Sequence, residues 1–136
     1  MSDAAWWESV SNALGVGQRI ANSVEEFDEA GEHIVQLLKD SSLLLENRSA
    51  ATACFLAITA LEETAKLHID LFRHSNVTVA RGKDPLFKHK EKHRIAAAPT
   101  LAMGSRLQTA IGEARLRELM DLARNGGLAT LRESCL

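Results

Sequence analysis

Apolar residues recur at intervals of three and four positions along most of the chain, and no long stretch alternates polar and apolar residues. The first spacing is typical of amphipathic helices, whereas a half-buried strand needs a period of two. Only two prolines, Pro85 and Pro99, and eight glycines interrupt the pattern. The hydrophobic pattern therefore predicts an all-α protein.

The clearest helical pattern begins at Ser23. The segment Ser23-Val24-Glu25-Glu26 is typical of a capping box, in which the serine oxygen accepts a backbone N–H and Glu26 reaches back. Apolar residues follow at helical spacing as far as Leu45, and a compact turn leads into a second helix over residues 50–73. This second helix is apolar nearly all round at its start, which is typical of the most buried helix. The short turn predicts an antiparallel hairpin.

The helices outside this hairpin are predicted from their end signals. A short helix over residues 3–14 carries two tryptophans, which we expect to pack on the bundle or on a second subunit. Asp84-Pro85 is a cap with a first-turn proline, and Pro99 should end or kink the helix that follows. A further helix fits residues 100–124, with a flaw at Gly104, and Gly126-Gly127 closes it.

The two ends of the chain complete the predicted organisation. Residues 128–136 begin another apolar pattern, which fits a short last helix or a segment that is cut short. We expect an N-terminal helical extension over residues 1–22 and one helical domain over residues 23–136.

Composition narrows the class of protein. The chain of 136 residues has 16 basic and 18 acidic side chains, a formal charge of 16 − 18 = −2, and 46% hydrophobic residues, which excludes wholesale disorder. Two cysteines do not make a disulfide scaffold and fit a reducing compartment. No apolar run reaches the roughly 18 residues that span a bilayer. We therefore expect a cytoplasmic protein without membrane contact.

Charge is distributed unevenly along the chain. Residues 25–46 contain seven acids and one lysine, a local charge of −6, whereas residues 81–94 contain six bases and two acids, a local charge of +4. Such blocks fit two solvated helix faces that attract each other. They also fit a basic segment that meets an anionic ligand or an RNA backbone.

Glu62 is the most unusual residue of the second long helix. At 100° per residue it falls at the edge of the apolar arc, whereas Glu63, Lys66 and Asp70 fall on the polar side. A carboxylate that faces a core is costly unless it is paired, so Glu62 should have a cationic or hydrogen-bonding partner. The alternative is an intrahelical pair with Lys66, one turn away.

Two histidines share a face of the helix after Pro85. His89 and His93 lie four residues apart on the side of Leu86, which points both imidazoles inward. Nearby cations favour neutral imidazoles, which can act as a base, and the same spacing fits buried, hydrogen-bonded core histidines. A metal site is not predicted, because Glu-x-x-His and Cys-x-x-Cys are absent and lysines repel a cation. The predicted phosphate-binding residues are Lys88, Lys90, Lys92 and Arg94.

Two segments together resemble the AbiV family of bacterial abortive-infection proteins, within the HEPN superfamily. They are Ala57-Ile58-Thr59-Ala60-Leu61-Glu62-Glu63-Thr64-Ala65-Lys66 and Phe87-Lys88-His89-Lys90-Glu91-Lys92-His93. The resemblance implies an antiparallel HEPN bundle that forms homodimers and arrests growth or translation of the infected cell, with a phage-encoded protein as trigger. Many HEPN proteins are metal-independent ribonucleases whose signature is an arginine four to six residues before a histidine. At that distance from His89 and His93 this chain has only lysines.

Two functions from different classes follow from these observations. In the first, the protein is a ribonuclease without a cofactor whose catalytic residues are His89, His93, Glu62 and Lys66. In the second, the same side chains form a structural polar cluster in a non-catalytic module that binds RNA, the ribosome or a phage protein.

Overall fold

The computed structural model describes residues 3–74, 78–102 and 104–136. Within these ranges the chain forms α-helices and two 3₁₀ turns, at Arg81–Lys83 and Pro85–Phe87, and contains no strand. The helices are α1 (Asp3–Gly15), α2 (Val24–Glu46), α3 (Ala50–Phe72), α4 (His89–Ala102), α5 (Gly104–Ile111), α6 (Glu113–Asn125) and α7 (Gly127–Ser134). The all-α prediction is confirmed.

The predicted hairpin is formed by α2 and α3, which pack against each other. Ser23 Oγ accepts the Glu26 N–H at 3.1 Å, as predicted for the cap. The Glu26 carboxylate reaches back to the N–H of Asn22, at 2.7 Å, rather than to that of Ser23. None of the residues of α2 is buried, so this helix covers one side of α3 without entering the core.

The core lies on both sides of the α3–α4 pair. One cluster of buried residues joins these helices to α1 and the second 3₁₀ turn: Val10, Ala13, Ala65, Ile69, Leu86, Ile95 and Ala96. The other joins them to α6 and α7: Ile58, Ala97, Ala123 and Leu128. The central position of α3 is confirmed, but its apolar start is not its most buried part. Ala50 and Ala51 are exposed, and buried residues begin at Ala53.

The C-terminal half differs from the prediction in where its helices begin and end. Asp84 caps a 3₁₀ turn by accepting the Leu86 N–H at 3.0 Å, and α4 begins only at His89. This helix continues past Pro99 to Ala102, so of the two predicted effects of that proline, an end or a kink, the end is wrong. The helix predicted over residues 100–124 is divided: α5 begins at Gly104, the predicted flaw, and Gly112, with a φ of 84°, separates α5 from α6. The predicted stop at Gly126 is confirmed by its left-handed conformation, and a short last helix follows.

Helix α1 packs on α3 and α4 through the buried Val10 and Ala13. Trp6 packs against the core, as expected, whereas Trp7 is 60% exposed. Neither the 3–15 segment nor any other helix in the described ranges is long and apolar enough to cross a membrane.

The connection from α1 to α2 is held by two buried charged side chains at the end of α3. The Arg73 guanidinium donates to the carbonyls of Ala13 and Gln18, each at 3.0 Å, and pairs with Asp84 at 2.5 Å. The Asp70 carboxylate accepts the N–H groups of Ile20 and Ala21 at 2.5 and 2.8 Å. The predicted polar-side position of Asp70 is therefore wrong: it is 1% exposed, because the connection covers it.

Candidate functional site

Glu62 lies in the middle of α3, faces α4 and is 2% exposed. Its Oε1 lies 2.8 Å from His93 Nε2, and its Oε2 lies 2.9 Å from His89 Nδ1 and 3.3 Å from Lys92 Nζ. The predicted need for cationic or hydrogen-bonding partners is confirmed. The partners come from a different helix, and the intrahelical pair with Lys66 does not form.

One face of α4 supplies all three of these partners. Residues that follow a helical residue by three and four positions lie on its side of the helix, so Lys92 and His93 share the face of His89. Ala96 continues this face into the core, where it is buried. Packing of α4 on α3 therefore brings two imidazoles and one ammonium group to a single carboxylate.

Arg132 is a fourth partner that the sequence reasoning missed. Its Nε lies 3.3 Å from Glu62 Oε1, and its guanidinium lies 4.5 Å from the ring centre of Phe55. The Nε atom is buried and has no hydrogen-bond partner in the described part of the chain, so its contact with Glu62 is an ion pair without hydrogen-bond alignment. A signal existed: Arg132 stands three and four residues after Ala129 and Leu128, the two buried residues of α7.

The surroundings of Glu62 keep it ionised. Burial by itself would raise the pKa of this carboxyl group, but the hydrogen bonds from His93 and His89, the charge of Lys92 and that of a protonated His89 outweigh burial. Together they lower the pKa of Glu62 from 4.5 to about 2. The carboxylate therefore accepts hydrogen bonds from both imidazoles at neutral pH.

The two histidines differ in their access to solvent. His93 is fully buried, and its Nδ1 has no hydrogen-bond partner among the described residues. The ring contacts the Glu62 carboxylate through Nε2 alone, at 2.8 Å. The side chain of His89 is 47% exposed, so the prediction that both imidazoles point inward is wrong for this residue.

The half-exposed position of His89 leaves one ring nitrogen free for chemistry. When Nδ1–H donates to Glu62, the neutral ring carries its lone pair on Nε2. A carboxylate that fixes the tautomer of a histidine in this way prepares it to act as a general base.

Lys66 lies outside this cluster. Its ammonium group pairs with Glu63 at 2.8 Å and lies 5.9 Å from the ring centre of Phe87. It stands one turn beyond Glu62 on α3, and its side chain is 23% exposed.

The four predicted phosphate-binding residues separate into two groups. Lys92 is buried against Glu62, and Arg94 donates to the Glu91 carboxylate at 2.7 Å and to the Arg124 carbonyl at 3.1 Å. Lys88 and Lys90 are exposed on either side of His89. Both are adjacent to His89 in sequence, and the Lys90 side chain runs along Gly126.

The cluster does not have the arrangement of a metal centre. Among the residues that the structure describes, no group of three or more His, Cys, Asp or Glu side chains could hold a metal ion. The imidazole nitrogens nearest Glu62 point at its oxygens, and two cationic side chains share the same carboxylate.

Comparison with known proteins adds one finding. The family model described as AbiV, of HEPN type, matches residues 24–134 of the 136. This match contains Glu62, both histidines and Arg132, and begins after α1. No curated protein and no solved structure shows significant similarity to the chain.

Proposed function

Since the chain belongs to the AbiV family of HEPN-domain abortive-infection proteins, we propose that it acts against phage by cleaving RNA without a metal ion, with His89 as the acid–base residue. The observation that carries this proposal is the Glu62–His89 hydrogen bond at a half-exposed imidazole. Cleavage of cellular RNA would stop translation in the infected cell, and a phage-encoded protein would trigger it.

In this mechanism Nε2 of His89 takes the proton of a ribose 2′-OH. The 2′ oxygen attacks the adjacent phosphorus, the bond to the 5′ oxygen of the next nucleotide breaks, and the imidazolium returns a proton to that leaving oxygen. The products are a 2′,3′-cyclic phosphate and a free 5′-OH. Lys88 and Lys90 are the exposed cations that would stabilise charge on the phosphate oxygens.

Glu62 acts as a positioning residue in this proposal. It holds the His89 tautomer and stabilises the imidazolium that forms when the 2′-OH proton is taken. His93 and Lys92 keep Glu62 ionised, and Arg132 contacts the same carboxylate at 3.3 Å. His93 has no access to a substrate, because its ring is fully buried.

The test is incubation of the purified protein with total RNA, with and without a chelator. We expect degradation that resists the chelator and yields cyclic phosphate ends, and a loss of about 10²–10⁴-fold in rate for His89→Ala. His33→Ala, at an exposed histidine of α2, is the matched control and should cleave at the parent rate. Equal cleavage by the His89 variant, or loss of cleavage with the chelator, would contradict the proposal.

One observation favours a second candidate function, a non-catalytic module that binds RNA, the ribosome or a phage protein. Glu62, Lys92 and His93 are all buried, as expected of side chains that fix the packing of α3, α4 and α7. In that case His89→Ala would lower the melting temperature. RNA incubated with the wild type or with any variant would stay intact.

A further inference from the structure

The two cysteines of the chain meet in the folded protein. Cys54 lies in the first half of α3 and Cys135 is the C-cap of α7, so they stand 81 positions apart (135 − 54). Both thiols are free and half-buried, and the two side chains share a hydrogen bond. Neither thiol belongs to the Glu62 cluster.

The packing of α7 on α3 brings the two thiols together. Leu131 of α7 and Cys54 line the same apolar cavity, and the Arg132 guanidinium lies 4.5 Å from the ring centre of Phe55, the residue after Cys54. Cys135 follows these two residues of α7 by four and three positions, and its N–H donates to the Leu131 carbonyl at 3.1 Å. It therefore continues the face of α7 that contacts α3.

Such a pair satisfies the first requirement for a disulfide, which is that the two side chains point at each other. Thiols that share a hydrogen bond need only side-chain rotation and a small shift of the last turn of α7 to reach the S–S bond length of about 2 Å. Cys135 ends its helix, so this shift breaks no helix interior. Since the chain has no third cysteine, each thiol has a single possible partner within the chain.

We propose that Cys54 and Cys135 form a reversible disulfide within one chain when a peroxide oxidises the protein. In proteins of reducing compartments disulfides are mostly transient and sense the redox state, which agrees with the compartment expected from the cysteine content. The inference does not depend on RNA cleavage, because it uses neither His89 nor Glu62.

The chemistry takes two steps, which differ in the thiol that acts. Burial and the hydrogen bond with Cys135 raise the pKa of the Cys54 thiol, so Cys54 stays protonated at neutral pH and the Cys135 thiolate reacts first. It attacks one oxygen of hydrogen peroxide: an S–O bond forms, the O–O bond breaks, and the hydroxide that leaves takes the proton released by Cys135. The Cys54 sulfur then attacks the sulfenic acid. The S–S bond forms, the S–O bond breaks, and the hydroxyl group leaves as water with the Cys54 proton. Two thiols are thereby oxidised, and one peroxide is reduced to two waters.

The disulfide would fasten the end of α7 to α3. This helix carries Arg132, so oxidation would also hold the Arg132 contact with Glu62 in place. A crosslink between residues so distant in sequence removes many conformations of the unfolded chain. The oxidised protein should therefore melt roughly 10 °C above the reduced protein.

The experiment treats the full-length reduced protein with hydrogen peroxide and counts free thiols with Ellman's reagent. We expect two thiols per chain before treatment and none after it, with both restored by dithiothreitol. A non-reducing gel should show a single chain, and mass spectrometry of a tryptic digest should show the peptides of Cys54 and Cys135 joined. Circular dichroism measures the two melting temperatures.

The matched controls are Cys54→Ser and Cys135→Ser, whose melting temperatures should not rise on oxidation. In Cys54→Ser the reaction should stop at a sulfenic acid on Cys135, which dimedone traps. The wild-type measurements and Cys135→Ser, at the half-buried end of α7, decide the question if Cys54→Ser does not fold. Thiols that survive the peroxide, a disulfide between two chains, oxidation that dithiothreitol does not reverse, or equal melting temperatures for oxidised and reduced protein would overturn the inference.

Discussion

At the scale of single residues, Glu62 holds two histidines that differ in their access to solvent. Both rings contact its carboxylate at hydrogen-bonding distance, yet one is enclosed by the bundle and the other is half exposed. A buried partner contributes to stability, because its removal leaves polar groups without hydrogen bonds. An exposed partner is free to act on a substrate.

The two histidines should therefore respond in opposite ways to replacement by alanine. His93→Ala should lower the free energy of unfolding by about 3 kcal/mol, or roughly 10 °C in melting temperature, since it removes a buried partner of a charged group. His89→Ala should shift the melting temperature far less while abolishing RNA cleavage. Thermal denaturation followed by circular dichroism measures both, and equal shifts would contradict the division of roles.

The lowered pKa of Glu62 predicts a pH dependence of stability. Between pH 4.5 and about 2 this carboxyl group is protonated in the unfolded chain and ionised in the folded one, so unfolding takes up a proton. The stability that Glu62 contributes is complete above pH 4.5 and is lost as the pH falls towards 2, by about 3 kcal/mol in total.

Urea denaturation at a series of pH values tests this contribution. The difference in free energy of unfolding between the wild type and Glu62→Gln should shrink as the pH falls through that window. For Glu63→Gln, at the half-buried neighbour paired with Lys66, the free energy of unfolding should change with pH as it does in the wild type. If the free energy of unfolding of Glu62→Gln also followed the pH dependence of the wild type, the carboxylate would not be held ionised by its partners.

At the scale of elements, close approach of the α1–α2 connection to the end of α3 requires a glycine. Gly17 has a φ of 91°, and a Cβ atom there would lie 2.5 Å from Asp84 Oδ2 and 2.8 Å from Arg73 Nη2. Those two side chains form the buried ion pair that anchors the connection. Space and backbone conformation both exclude a side chain at this position.

Comparison of Gly17→Ala with Gly112→Ala separates these two effects. Gly112 also has a positive φ, 84°, but open space surrounds its missing Cβ. Its replacement should cost only the backbone strain, about 1–3 kcal/mol. Gly17→Ala should cost clearly more, because the buried ion pair must also move. Chemical denaturation measures the free energy of unfolding of both variants. Equal decreases would mean that the ion pair can move aside without loss of stability.

At the scale of the whole molecule, α2 is much more exposed to solvent than α3, the helix that it packs against. It has no buried residue and leaves Val35, Leu38 and Leu45 at least half exposed. Apolar area of this kind is covered when two chains associate. The homodimer implied by the resemblance therefore stays a prediction, with α2 as the face that would gain most from it.

Sedimentation at increasing protein concentration tests the dimer. We expect a species of twice the chain mass, and Leu38→Glu on α2 should shift the equilibrium towards the monomer. Leu119→Glu, at a comparably exposed leucine of α6, is the control and should leave the equilibrium unchanged. A single species at monomer mass throughout the concentration range would contradict association.

Local patterns in the sequence were sufficient for much of this protein. The all-α class, the cap at Ser23, the hairpin of α2 and α3 and the stop at Gly126 depend on residues close together in the chain. Helical periodicity alone places the Glu62 carboxylate at the edge of an apolar face, and it also places the two histidines on a shared face.

Tertiary structure alone decided which side chains meet. Arg132 contacts Glu62 although it stands 70 positions further along the chain (132 − 62). Asp70 is buried because residues 20 and 21 lie over it. Helical periodicity places a side chain on a face but does not say which helix covers that face, or whether solvent reaches it. The exposure of His89 and the burial of His93 and Lys92 are set by packing between helices, which depends on contacts distant in sequence.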